Sequence, residues 1–329
     1  VNDSRERVLS GFRPSGPLHI GHWVGALQNW VSLQQQYRCF YAICDWHALT
    51  SEYAHTAPLR EYVHQMALDW LAAGLDPEVS TLFVQSRVKE HAELHLLLSM
   101  IVPLGWLERV PTYKEQQQQV TGRDLTNYGF LGYPVLQTAD ILVYKAHWVP
   151  VGEDQISHLE LCREIARRFN GLYGEIFPEP QPKISRIPRL PGTDGRKMSK
   201  SYNNAVYLSD SQAEASRKIL SMVTDPARVR RSDPGNPDVC PVFTLHKAFS
   251  SVPTLETVNR ECRTAGIGCV DCKKMLLTHL DETLSPLRER RAALAKEPDQ
   301  VHNMLEAGAA KAREFAAQTL QEVRDAVRI

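Results

Sequence analysis

No apolar run in the 329-residue sequence is long enough to cross a membrane; the longest, Leu96 to Leu107, is broken by Pro103. The N-terminus (Val1-Asn2-Asp3-Ser4-Arg5-Glu6-Arg7) has no hydrophobic signal core, so the expectation is a cytoplasmic protein with no membrane partner. There is no surplus of charge either. Lys+Arg and Asp+Glu both number 38, so any polyanion must be gripped by local patches rather than by net charge. Seven cysteines in a chain of this length do not make a disulfide scaffold and read as reduced thiols. Neither a Walker A loop nor a Gly-x-Gly-x-x-Gly turn occurs, so the commonest phosphate cradles are missing. With 43% hydrophobic and 23% charged residues, what remains is a globular protein large enough for two domains.

What is present is an alternation of short apolar runs with amphipathic helices. Arg38 to Cys44 reads as a buried strand, Leu59 to Ala73 as a helix, and Ser80 to Gln85 as another strand. His147 to Val151 reads as a further strand, and Leu159, Cys162, Ala166 and Phe169 mark the helix after it. That order predicts an α/β fold with a parallel sheet. Prolines at 178, 180, 182, 188 and 191 mark Phe177 to Arg196 as loop. Beyond Ser211 the pattern is mainly helical and ends in a stripe from Val301 through Leu305, Ala309, Ala312, Phe315 and Leu320 to Val327. The arginine groups 228/230/231 and 288/290/291 read as solvated surface.

Two short segments carry chemistry. Gly11-Phe-Arg13-Pro-Ser15-Gly-Pro-Leu-His19-Ile-Gly21-His22 is a Pro/Gly turn that opens a helix whose apolar face runs Ile20, Trp23, Val24, Leu27. Free N–H groups at such a helix start suit phosphate, and Gly21 lets a flat base approach the backbone. Far downstream, Lys197-Met198-Ser199-Lys200-Ser201 follows a glycine-containing loop, where two lysines can close over a polyphosphate. Together, His19-Ile-Gly-His22 and Lys197-Met-Ser-Lys-Ser201 resemble the HIGH and KMSKS signatures of class I aminoacyl-tRNA synthetases. The resemblance implies a Rossmann-type catalytic domain over residues 1–205, with a dimer-interface insertion, and a helical anticodon-binding domain over 206–329.

The amino acid is suggested by Tyr133-Pro-Val-Leu-Gln137-Thr-Ala-Asp140-Ile141, which is apolar nearly all round and so reads as a buried helix. A buried carboxylate at Asp140 must find a donor, and an indole N–H offers one donor and no acceptor. From Leu9 to about Asn204 the chain is similar to bacterial tryptophanyl-tRNA synthetases. That likeness implies that Asp140 accepts the indole N–H and that Tyr133 and Gln155 hold the α-ammonium and carboxylate end. It places His47 and Gln137 in the pocket and Leu9, Gly11, Ile141, Val149 and Val151 on its walls. On the ATP side it implies Arg13, Ser15, Gly21, His22, Lys114, Gly152, Asp154, Lys197, Met198, Ser199 and Lys200, with His19, His22, Lys197 and Lys200 acting in catalysis with Mg²⁺. Gln137 stands where many members carry Met, and Leu9 where some carry Phe. The expected partners are L-tryptophan, ATP, tRNA(Trp) and a second copy of the chain. The rival readings are a tyrosyl-type synthetase and a paralogue with a regulatory or partner-binding role.

Two further patterns involve metal-ligand residue types. His91-Ala-Glu93-Leu-His95 lacks the spacing of a metalloprotease, because Glu does not follow the first His directly; both histidines read as surface. Cys269-Val-Asp-Cys272, with Cys262 and Cys240 behind it, could bring four sulfurs to one tetrahedral centre. The arrangement resembles a four-cysteine site in a subset of bacterial tryptophanyl-tRNA synthetases, which implies a 4Fe–4S cluster in preference to zinc.

Overall fold

A computed structural model describes residues 4–110, 125–152, 155–184 and 190–329. Its centre is a five-stranded, all-parallel sheet in the order β3-β2-β1-β4-β5. The strands are β1 (Arg7–Phe12), β2 (Arg38–Ile43), β3 (Thr81–Val84), β4 (Trp148–Val151) and β5 (Gln181–Ile184). β2 is a continuous apolar run because helices cover both faces of an inner parallel strand, and Cys39 through Ile43 are all buried. β5 lies inside the stretch expected to be loop. It sits at the sheet edge, where Pro182 removes an N–H that no sixth strand needs among the described residues.

Helix α1 spans residues 20–33, with α-helical ends at Ile20–His22 and Gln28–Leu33 around a π-helical turn at Trp23–Leu27. α2 (Asp45–Glu52) and α3 (Leu59–Ala73) follow, and α3 stops at Gly74, whose φ of 105° allows its N–H to reach back to Leu71. α4 (Glu90–Ser99), α5 (Leu104–Glu108), α6 (Tyr128–Leu142) and α7 (Ile156–Tyr173) complete the first part. α6 is capped by Asn127, whose Oδ1 accepts the Phe130 N–H at 2.9 Å.

The later part is helical: α8 (Gln212–Ser221), α9 (Pro241–Phe249), α10 (Val252–Arg263), α11 (Cys269–Leu294) and α12 (Pro298–Val327). α12 does not stay with its neighbours but lies across β3. Its stripe Ala309, Ala312, Ala316, Leu320, Val323 joins Phe40, Phe83 and Tyr144 in one apolar cluster. The approach is so close that any side chain at Gly308 would strike the Leu82 backbone. Two arginines of α11 are not solvated surface: Arg288 and Arg291 are half-buried and bond to Asp210 and Asp69, whereas Arg290 is exposed as expected, with its Nε on the Ala72 carbonyl. Arg228 also turns inward, donating to the Ile267 and Arg231 carbonyls, whereas Arg230 and Arg231 are exposed as expected. Among the described residues no helix is long and apolar enough to cross a membrane.

Candidate active site

Strand order reverses between β1 and β4, and a cavity of about 380 Å³ opens there, outside the carboxyl ends of the strands. The expected residues Leu9, Gly11, Arg13, His47, Tyr133, Gln137, Asp140, Ile141, Val151, Gly152 and Gln155 line it. Gly25 and Ala26, from the π turn of α1, line it too. Val149 is buried in the apolar cluster containing Leu9, Ile141 and Val151 and is not part of the cavity wall. Lys114 and Asp154 fall outside the described residues.

Asp140 is buried at 3% exposure, as its place in an apolar helix requires, but it is not a lone carboxylate. Gln85 Nε2 donates to both its oxygens at 2.8 and 2.9 Å. His47 Nε2 lies 2.9 Å from Oδ2, and His91 Nδ1 lies 2.6 Å from Oδ1. His91 is therefore no surface residue: it is fully buried, and its Nε2 meets the Tyr144 hydroxyl at 2.7 Å. His95 is half-buried rather than on the surface, and its Nδ1 has no partner among the described residues. Burial alone would raise the Asp140 pKa, but hydrogen bonds from His47 and His91 more than offset it and hold the carboxyl well below its ordinary range. Across the cavity a second polar chain runs from the Tyr133 hydroxyl to His158 Nε2 at 2.9 Å and from His158 Nδ1 to Gln155 Oε1 at 2.8 Å. Sequence reasoning missed Gln85, His91, Tyr144 and His158.

The two signature segments meet beside this cavity. Phe12, on its wall, meets the His22 ring edge-on with centroids 5.6 Å apart. His19 and His22 lie ring against ring at 3.7 Å, and the His19 N–H donates to His22 Nδ1 at 3.1 Å. Gly21 makes room for this, since a side chain there would meet the His19 ring at 2.9 Å. Met198 packs at the same glycine. Just beyond Lys200 the backbone pairs with the first segment: Ile20 N–H to Val206 O and Leu208 N–H to Leu18 O, both 2.9 Å. Lys200 Nζ rests on the Gly16 carbonyl at 2.8 Å and lies 3.4 Å from Ser15 Oγ, while Lys197 is exposed. Ser199 Oγ pairs with Ser201 Oγ at 2.9 Å, and the exposed Arg13 reaches Ser51. Burial, with the Lys200 and Lys197 charges, lowers the His19 pKa to about 4, and burial, with the charges of His19, Lys200 and Lys197, holds His22 well below the ordinary histidine value. At neutral pH both imidazoles are thus uncharged, and the lysines are the cations. His19 Nδ1 is buried and has no partner among the described residues.

Cys240, Cys262, Cys269 and Cys272 are all free thiols. They come close enough to act on one another: burial, followed by Cys240, Cys262 and Cys269, raises the Cys272 pKa to about 12. Cys272 Sγ lies 3.4 Å from His246 Nε2, and Arg228 Nη1 points at Cys262 Sγ from 3.9 Å. Among the described residues no three His, Cys, Asp or Glu side chains are gathered at coordination distance.

The family of class I tRNA synthetases (W and Y) matches residues 2–285. The tryptophan–tRNA ligase of Thermotoga maritima is 57% identical over 325 residues, covering 98% of this chain and 99% of that protein. That of Aquifex aeolicus is 44% identical over 393 residues, covering 98% of this chain and all of its own. Campylobacter jejuni tryptophanyl-tRNA synthetase, solved with ADP and tryptophan, superposes with a TM-score of 0.89 at 34% identity and covers 98% of this chain. A chain with both signatures at one sheet switch point and relatives matched end to end belongs to the class I aminoacyl-tRNA synthetases, among the bacterial tryptophan–tRNA ligases.

Proposed function

We propose that the cavity holds L-tryptophan with its indole N–H toward Asp140, and that the loops around His19 and Lys200 hold ATP. The observation that carries this reading is the ionised, fully buried Asp140 at the floor of an otherwise largely apolar cavity. Tyr133, Gln155 and His158 form the polar end suited to the ammonium and carboxylate groups. The tryptophan carboxylate attacks the α-phosphorus of ATP, the bond to the bridging oxygen breaks, and pyrophosphate leaves. No general base is needed, because the nucleophile is already ionised, so catalysis rests on position and charge. His19 and His22 donate to phosphate oxygens as neutral imidazoles; Lys197 and Lys200 neutralise the leaving group. Mg²⁺ arrives on the ATP phosphates, as is usual for that ion. In the second step a terminal ribose hydroxyl of tRNA(Trp) attacks the adenylate carbonyl and AMP leaves. Pyrophosphate exchange tests the reading: it should be strong with tryptophan and near background with tyrosine, and the opposite ranking would reject it.

The division at residue 205 is kept as a functional one, with α8 to α12 facing the anticodon side of the tRNA. Leu96 and Met100, on and just after α4, Leu104 on α5 and Tyr128 on α6 are 55–71% exposed, apolar surface that fits the contact of a homodimer. The setting is cytoplasmic. Cys240, Cys262, Cys269 and Cys272 would hold a 4Fe–4S cluster, with zinc as the other occupant that four thiolates suit. Burial and the neighbouring thiols raise the Cys262 pKa, and the Arg228 N–H aimed at its sulfur acts the other way, a contact that would favour an anionic sulfur. The group would order the start of α11. Protein purified without oxygen should carry about four iron atoms per chain with visible absorption, and Cys269→Ser should lose both. Neither iron nor zinc near stoichiometry, with normal charging, would reject the centre.

A further inference from the structure

Of three arginines near the end of α11, Arg290 and Arg291 reach out of the C-terminal half to α3, and Arg288 and Arg291 converge on the same short ladder. Arg291 Nε donates to Asp69 Oδ1 at 2.7 Å, and the same guanidinium also bonds Gln65. Asp69, on α3, has no solvent exposure, and its other oxygen accepts the Leu18 N–H at 3.2 Å, the peptide just before His19. Arg288 Nε donates to the Asp210 carbonyl at 2.9 Å, and the Asp210 carboxylate accepts the Tyr207 N–H at 2.8 Å. Tyr207 lies opposite His19 in the ladder that joins the segments at Leu18–Ile20 and Val206–Leu208. Arg290 adds a bond from Nε to the Ala72 carbonyl at 2.7 Å, which fixes α11 on α3 itself. One helix therefore grips the ladder from both strands, and on one side it does so through a buried charge.

We propose that Asp69 and Arg291 are positioning residues for adenylate formation: through them α11 sets where His19 and Lys200 stand relative to the cavity. The proposal rests on the assignment of His19 and Lys200 to the ATP phosphates. Its physical basis is that a step driven by placement is sensitive to small displacements, and a buried carboxylate holding one backbone N–H fixes a loop more tightly than apolar packing does. Nothing in tryptophan binding requires the pair, because Asp69 and Arg291 do not line the cavity. α11 also carries Cys269 and Cys272 at its other end, so the ATP loops are registered against the helices on the tRNA side and not against the sheet alone.

The test uses the full-length enzyme and two measurements: tryptophan-dependent pyrophosphate exchange, and tryptophan binding without ATP. Asp69→Asn and Arg291→Gln should each lower the exchange kcat by ~10- to 100-fold, the scale of a displacement of about 1 Å. Tryptophan Kd should stay within about twofold, since only a transition-state placement is lost. Arg291→Lys, which keeps the charge, should recover most of the rate. The double variant Asp69→Asn/Arg291→Gln should be no slower than the worse single one, because the two act as a unit. Should the Asp69 and Arg291 variants fail to fold, Arg288→Lys carries the same comparison, because its partners are the Asp210 carbonyl and the half-buried Asp281 carboxylate rather than a carboxylate sealed from solvent. Folded variants with wild-type kcat, measured where Lys200→Ala is slow, would overturn the proposal. So would a parallel loss of tryptophan affinity and rate. A wild-type rate in Lys200→Ala would instead reject the phosphate assignment, and the positioning role with it.

Discussion

Asp140→Ala is expected to raise the tryptophan KM steeply and to cut discrimination against phenylalanine and tyrosine by as much as ~10⁴-fold, the scale for a site built around one buried hydrogen bond. The structure makes the loss larger than that of a single contact. Gln85, His47 and His91 all point at the carboxylate, so its removal leaves them buried without the acceptor they share. Each orphaned buried donor costs about 1–3 kcal/mol, and an indole N–H would lose its carboxylate acceptor. For the same reason Asp140→Asn should be nearly as poor as alanine: its amide must present an NH₂ to at least one of those donors. Exchange kinetics with tryptophan, phenylalanine and tyrosine, beside tryptophan Kd, decide the matter. Wild-type tryptophan kinetics in Asp140→Ala would remove the indole assignment, and a near-normal Asp140→Asn would show that the surrounding donors do not set the carboxylate's role.

That donor set explains what could be read from the sequence and what could not. Asp140 was legible because a charge in an apolar helix is anomalous on local grounds, and the signature segments because their residue types sit within a few positions of one another. β2 and α3 were legible from periodicity, α3 to the residue. His91 was not, because its partner Asp140 lies 49 residues away and the two meet only in the fold. A signal existed all the same: His91, Leu94 and Leu98 share one helical face, and that face is buried. Gln85 stands directly after β3, the kind of position from which polar side chains enter sites in parallel sheets. Arg291 of α11 was misread because nothing local marks Asp69 as buried; its burial follows from α11 packing on α3. β5 was lost because a proline cluster reads as loop unless the strand is known to be an edge.

Lys200→Ala should slow adenylate formation by ~10²–10³-fold, the cost of one preorganised charge contact to a transition state, while tryptophan binding without ATP stays normal. Lys197→Ala should cost less. The difference follows from their settings: Lys197 is exposed and screened by solvent, whereas Lys200 is half-buried and already held over the Gly16 carbonyl, next to the first signature loop. The same burial gives the prediction a pH signature. It lowers the Lys200 pKa to about 8, with the Asp69 charge acting in the opposite direction and Arg13 adding to the fall. Lys200 is therefore charged below about pH 8 and loses its proton above it, so kcat/KM for ATP, which reports the free enzyme, should fall along an alkaline limb there. Lys200→Arg should flatten that limb, because guanidinium stays protonated, although a broad planar group does not replace a compact ammonium at a site shaped for one and the plateau rate will be lower. His19 cannot account for the limb, since its lowered pKa of about 4 leaves it neutral throughout. An alkaline limb unchanged in Lys200→Arg would show that Lys200 is not the titrating cation, and undiminished exchange in Lys200→Ala would remove it from the reaction.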